Sequence, residues 1–217
     1  MAQEVRYSWL DMSYMAQDAG VSGTQPTLTP GQLVHVDGTD GDGIRFRASA
    51  GTWHHMYMFL DFASTDIDVT AVVTNLGVVT DSTDDEFDLT TIRGGLGIRI
   101  PIGLGPATDL YAEVSYDSMD LDLGQFVDEE GWDATNKDIG GALGVRAMLN
   151  DNWQLSAYGR YTSNGDVDLT TKEFDTDTVF GVGIGWQIVR GFSIVADYES
   201  GEFSNWSVGF RLDLNED

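Results

Sequence analysis

The sequence has 217 residues with 26 Gly, 10 Phe, 8 Tyr, 6 Trp, only 4 Pro and no Cys, and its 11 Lys and Arg against 36 Asp and Glu give a formal charge of -25. The missing Cys excludes a disulfide framework, a thiolate zinc site and a thiol nucleophile, and the acid excess excludes a nucleic-acid footprint, which needs clustered Lys and Arg. No apolar run reaches the roughly 18 residues of a spanning helix, which leaves spanning strands untouched.

The chain opens Met1-Ala2-Gln3-Glu4-Val5 with no basic region and no apolar core behind it, so a mature exported product is expected rather than one that still carries a signal peptide. Glycine and aromatics spread over many short segments, with no Ser- and Pro-rich linker, predict one all-β domain over 1–217. Period-2 alternation marks ten strands, near 6–16, 43–52, 56–65, 89–100, 109–119, 138–149, 153–163, 178–188, 192–200 and 204–214. Merging two hairpins into one long loop gives eight as the alternative.

The connections alternate between two kinds. Short ones hold Trp53-His54-His55, Pro101 to Thr108, Asn150-Asp151-Asn152 and Val189-Arg190-Gly191, with the Gly, Pro and Asn of ordinary turns. Long ones, acidic and Gly-rich, run from Gln17 to Asp42, Asp66 to Asp88, Asp120 to Lys137 and Asn164 to Asp177, with a brief fifth at Gly201 to Phe203. Short periplasmic turns and long acidic extracellular loops are the pattern of an antiparallel up-and-down transmembrane β-barrel.

Alternation alone does not separate a soluble barrel with an apolar interior from a membrane barrel with an apolar exterior, so side-chain chemistry decides. Near 89–100, Ile92, Gly94, Leu96, Ile98 and Ile100 share one face and Arg93, Gly95, Gly97 and Arg99 the other. In the last strand Trp206, Val208, Phe210, Leu212 and Leu214 oppose Ser207, Gly209, Arg211 and Asp213. Small and charged residues suit a narrow interior and large apolar ones a lipid-facing exterior.

On that polar face stand Arg45, Arg47, Arg93, Arg99, Arg146, Arg160 and Arg211, with Asp11, Asp61, Glu113, Asp117, Asp197, Glu199 and Asp213 as acidic partners. Such a cluster reads first as a structural plug and second as a selectivity lining or gate. Trp9, Trp53, Trp153, Trp186 and Trp206, with Tyr7, Tyr14, Tyr116, Tyr161 and Tyr198, lie towards strand ends, where membrane interfaces hold amphipathic rings.

Gly94-Gly95-Leu96-Gly97-Ile98-Arg99, Phe180-Gly181-Val182-Gly183-Ile184-Gly185-Trp186 and the terminal Trp206 to Leu214 carry a resemblance over nearly the whole chain. The sequence resembles the small outer-membrane β-barrel proteins of Gram-negative bacteria, the group containing the OmpA barrel, OmpX and the opacity proteins. The resemblance implies the cell outer membrane as location, and membrane lipid, lipopolysaccharide and the outer-membrane assembly machinery as partners. The terminal strand departs from the family's assembly signal, with Leu214 in place of the usual aromatic and Asn215, Glu216 and Asp217 behind it.

Asp37, Asp40 and Asp42 alternate with glycines and form a weak candidate for a hard cation, lacking the bidentate Glu of an EF-hand. The runs Asp81 to Glu86 and Asp128 to Glu130 suggest loose contact with divalent cations at the outer rim. His54 and His55 fall in a turn and His35 in a loop, so no catalytic set assembles, and no cofactor is expected. The expected role is a barrel with a largely plugged polar interior, structural or surface-interacting. A narrow passive channel is the alternative, with an outer-membrane enzyme or a soluble ligand-binding barrel further off.

Overall fold

The computed structural model describes residues 7–26, 29–53, 55–102, 107–122, 134–163, 167–168, 173–201 and 204–214. Among them the chain forms β1 (Trp9–Pro26), β2 (Gln32–Trp53), β3 (Met56–Asn75), β4 (Val78–Pro101), β5 (Thr108–Asp122), β6 (Ala134–Met148), β7 (Trp153–Thr162), β8 (Val167–Asp168), β9 (Glu173–Phe174), β10 (Asp177–Val189), β11 (Phe192–Ser200) and β12 (Ser204–Asp213). Ten of these pair antiparallel with their neighbours, and β12 closes onto β1 from Trp9↔Asp213 to Asp18↔Ser204. Closure leaves the barrel wall no free edge, so its backbone groups are paired without help from water. The two-residue β8 and β9 form a small flap, β8 lying parallel to β1 at Val21 and Ser22. The wall has ten strands, not eight.

The barrel is inverted relative to a soluble protein. Met58 and Leu60 on β3, Leu96 and Ile98 on β4, and Val208, Phe210 and Leu212 on β12 are exposed, whereas Asp11, Arg45, Asp117, Glu199 and Ser207 are buried. Hydrocarbon outside makes that arrangement favourable, since only there does an exposed Leu cost nothing and an outward charge cost much. The run from Trp206 on β12 to Leu214, at about 3.3 Å per residue and a tilt near 40°, spans about 20 Å, comparable with an outer-membrane apolar band. Stacked Trp153 and Trp186, with centroids 5.8 Å apart, mark one edge of that band, and Tyr14 against Trp206 at 5.9 Å marks the other. Tyr7 and Trp9 do not join the girdle, because they share the inward parity of Asp11 and Ser13 and are buried.

Two of the stretches expected as long loops are strand. β1 runs on to Pro26 and β2 begins at Gln32, so Gln17 to Asp42 is largely sheet, and Asp66 to Asp88 is a hairpin whose turn is Leu76-Gly77. Both turn residues have positive φ, 51° and 82°, the geometry of a tight hairpin turn that matches strand twist. β1–β4 therefore continue past the barrel rim as a four-stranded sheet, about 30 Å along β3 from Asp66 to Asn75 at about 3.3 Å per residue. Asp37, Asp40 and Asp42 are strand residues on β2 rather than loop residues, and all three are exposed. No group of three or more carboxylate or His side chains suited to a metal ion occurs among the described residues.

At the rim the alternation changes sign. Along β3 the outward residues pass from Met58, Leu60 and Phe62 to Asp66 and Asp68, while the inward ones pass from Asp61 to Ile67, Val69 and Ala71. The change falls on a row in which Asp42, Asp66, Asp88 and Asp122 stand directly opposite one another across four strands, all exposed. Like charges so placed repel. The hydrogen bond shared with Asp88, together with some burial and the charges of Asp88 and Asp42, raises the pKa of Asp66.

A raised carboxyl pKa means that the folded sheet holds the proton more tightly than the unfolded chain does. Stability is then gained as pH falls through the raised pKa and lost as pH rises past it. In low salt, the protruding sheet should resist proteolysis better at acidic than at mildly alkaline pH. Asp66→Asn should remove most of that difference, and equal digestion rates at the two pH values would contradict the account.

Candidate functional site

The inward polar residues of successive strands form one continuous row. In register, Arg211 on β12 faces Asp11 on β1, which faces Arg47 on β2, then Asp61 on β3, Arg93 on β4 and Asp117 on β5. Opposite charges therefore alternate around more than half of the wall, the favourable cross-strand arrangement. Asp11 accepts from Arg47 at 2.9 Å and from Arg211 at 3.1 Å.

Other bonds cross the lumen. β2 and β11 are separated in the sheet by β1 and β12, yet Arg47 Nη2 donates to Asp197 at 2.5 Å and Arg45 Nη2 to Glu199 at 3.2 Å. Arg45 is also held by Asp61, its Nε 2.8 Å from Oδ1 with a second bond through Nη2. Glu199, 2% exposed, also accepts from Arg160 at 3.4 Å, Asn205 at 2.9 Å and the Tyr158 hydroxyl. A fully desolvated carboxylate survives only with such a set of donors around it.

Arg93 donates to Glu113 at 2.6 Å and lies 3.8 Å from Asp117, while Tyr57 donates to the other Glu113 oxygen at 2.8 Å. Arg99 pairs with Asp109 at 3.6 Å. Rings supply the remaining contacts, with Arg211 4.2 Å over Trp9, Arg93 4.8 Å over Phe59 and Arg146 4.8 Å over Tyr7. Space for the inward tyrosines comes from glycine on the next strand. Tyr57 lies against Gly97, Tyr111 against Gly144 and Tyr158 against Gly181, where an added Cβ would enter the ring.

Seven arginines, at 45, 47, 93, 99, 146, 160 and 211, thus face seven carboxylates, at 11, 61, 109, 113, 117, 197 and 199. The network is neutral, and the chain's charge of -25 lies wholly outside it. Asp109 was not singled out from sequence because it borders a connection, although its parity with Glu113 and Asp117 was available. Asp213 sits at the rim, opposite Trp9.

Arg45, Asp61 and Arg93 form a partition with a cavity of about 80 Å³ on each side. Met15, Met119 and Val179 line the outer cavity, and Ile67, Leu89 and Leu121 are buried beyond it. Neither His35 nor His55 takes part. His35 is on β2, bonded to Thr24 at 2.9 Å, and His55 is in the turn beyond the other end of that strand, while His54 lies outside the described residues.

Residues 9–187 match the family model described as the outer membrane protein beta-barrel domain. The β domain of the Bordetella autotransporter BrkA is similar in structure, with a TM-score of 0.51 and 11% identity over 97% of this chain and 100% of that one. The translocator domain of autotransporter NalP from Neisseria meningitidis gives 0.48 at 15% identity, over 95% and 88%. The outer membrane protein OprG from Pseudomonas aeruginosa gives 0.44 at 13%, over 100% of both. Comparison with curated proteins finds no match. At such identities the likeness is one of fold.

Arg45→Ala should strand Asp61 and Glu199 without their shared cation and cost about 3–5 kcal/mol. The loss would appear as a lower temperature for conversion of the folded to the unfolded band on electrophoresis. Arg190→Ala, in an exposed turn, should leave that temperature unchanged.

Proposed function

The chain belongs to the outer-membrane protein β-barrel family, and on that premise we propose that it is a closed, non-enzymatic barrel of the cell outer membrane whose working surface is the acidic sheet beyond the lipid. The observation that carries this reading is the set of cross-lumen pairs from Arg45 and Arg47 to Glu199 and Asp197, with buried apolar side chains further out. An interior neutral as a whole offers little net charge for selecting a solute, whereas the outer sheet concentrates carboxylates.

The row of Asp42, Asp66, Asp88 and Asp122 stands where the apolar band ends, at the height of lipid phosphates. Divalent cations shared between this row and lipopolysaccharide phosphates relieve the repulsion of both, and so join protein to lipid. β12, with Trp206, Val208, Phe210 and Leu212 outward, is the segment presented to the assembly machinery. His35 and His55 stand near opposite ends of β2 and so cannot share a reacting centre. A second reading, a gated narrow channel, is favoured only by the two cavities that meet at the Arg45, Asp61 and Arg93 partition.

Conductance across a planar bilayer separates the two readings. Refolded wild-type protein should show no discrete openings, and Arg45→Ala combined with Arg93→Ala should show frequent brief ones. Long-lived openings of the wild type would overturn the closed-barrel reading in favour of the channel.

A further inference from the structure

The inner cavity is walled by Arg45, Arg47, Arg93, Arg146 and Arg211 against Asp61, Glu113 and Asp197. Asp11 holds Arg47 and Arg211 from beside the cavity. Each of these arginines except Arg146 has a carboxylate at ion-pair distance.

Arg146 is the exception. The residue opposite it in register is Asp109, but Asp109 pairs with Arg99. Arg146 has no carboxylate partner among the described residues, and its guanidinium lies over Tyr7 and Tyr111 at 4.8 and 5.2 Å. Contact with ring faces holds a guanidinium while leaving its in-plane N–H edges to donate elsewhere.

Five guanidinium nitrogens are buried with no acceptor among the described residues: Nη1 of Arg146, Nη1 of Arg45, Nε of Arg47, Nε of Arg211 and Nε of Arg160. All of these residues except Arg160 line the inner cavity, and buried charged donors left unpaired are costly. A small anion in the cavity would supply the acceptor that Arg146 lacks.

We propose that the inner cavity is a binding site for a small monovalent inorganic anion such as chloride, with Arg146 as its principal ligand and Arg47 and Arg211 completing the donor set. The cavity, about 80 Å³, accommodates a monatomic anion with a water or two. The donors come from β2, β6 and β12, so a bound anion links three separated parts of the wall. It should therefore stabilise the folded barrel by mass action. The site does not depend on whether the lumen conducts.

The test is thermal. The full chain, refolded in detergent, is heated in chloride, bromide or gluconate at matched ionic strength, and loss of the folded electrophoretic band is followed. The midpoint should rise saturably by a few degrees in chloride and bromide over gluconate, and Arg146→Gln should abolish that rise. A bromide anomalous-scattering peak beside Arg146 in wild-type crystals should locate the ion, and that measurement decides alone if the variant does not fold. Equal midpoints in the three salts would overturn the proposal, and so would a wild-type crystal in bromide with no such peak and Arg146 turned onto Asp109.

Discussion

A buried charge must be paired, and a closed wall of strands in hydrocarbon has only one place to bury charges, its own lumen. In a ten-stranded barrel that space is narrow enough for arginines on one side to reach carboxylates on the other. Arg45 and Arg47 leave β2 and meet Glu199 and Asp197 on β11, two strands beyond the nearest neighbour. The register that alternates Arg211, Asp11, Arg47, Asp61, Arg93 and Asp117 therefore does two things at once. It pairs most of the charges and carries side chains across the lumen. Glycines at 97, 144 and 181 let Tyr57, Tyr111 and Tyr158 lie flat within the same narrow space.

The same constraint fixes where the membrane ends. Along β3, side chains reverse polarity within a few residues, from Leu60 and Phe62 outside with Asp61 inside, to Asp66 and Asp68 outside with Ile67 and Val69 inside. Below that point the solvent is lipid and the core is polar. Above it the solvent is water and the core is apolar, as in any soluble sheet. One strand thus runs through two solvents, and the acidic row is the seam between them.

Much of this was legible in the letters. Strand number, the inward parity of Arg93, Arg99 and Arg211, and the outward parity of Ile98 and Phe210 follow from period-2 alternation together with the rule that large apolar groups face lipid. The protruding sheet did not follow, because Asp, Thr and Gly content suggested loop, although Asp66-Ile67-Asp68-Val69-Thr70-Ala71 is itself a strict alternation with its polarity reversed. Tyr7 and Trp9 were assigned to the girdle by position along the strand, when their parity with Asp11 places them inside. Which carboxylate each arginine meets was beyond the sequence, since Glu199 gathers Tyr158 and Arg160 from across β10 and Arg45 from a strand that approaches it only after closure.

The inverted barrel and its seam can be tested together, because the chain has no Cys and takes single labels cleanly. Nitroxide labels on Met58→Cys, Leu60→Cys, Phe62→Cys, Asp66→Cys and Asp68→Cys in lipid bilayers would be read for collision with oxygen, which concentrates in lipid, and with a water-soluble nickel chelate. The first three should respond to oxygen and the last two to nickel, with the change falling between Phe62 and Asp66. Nickel access at all five positions, or a protein that stays monomeric in water without detergent, would contradict the account.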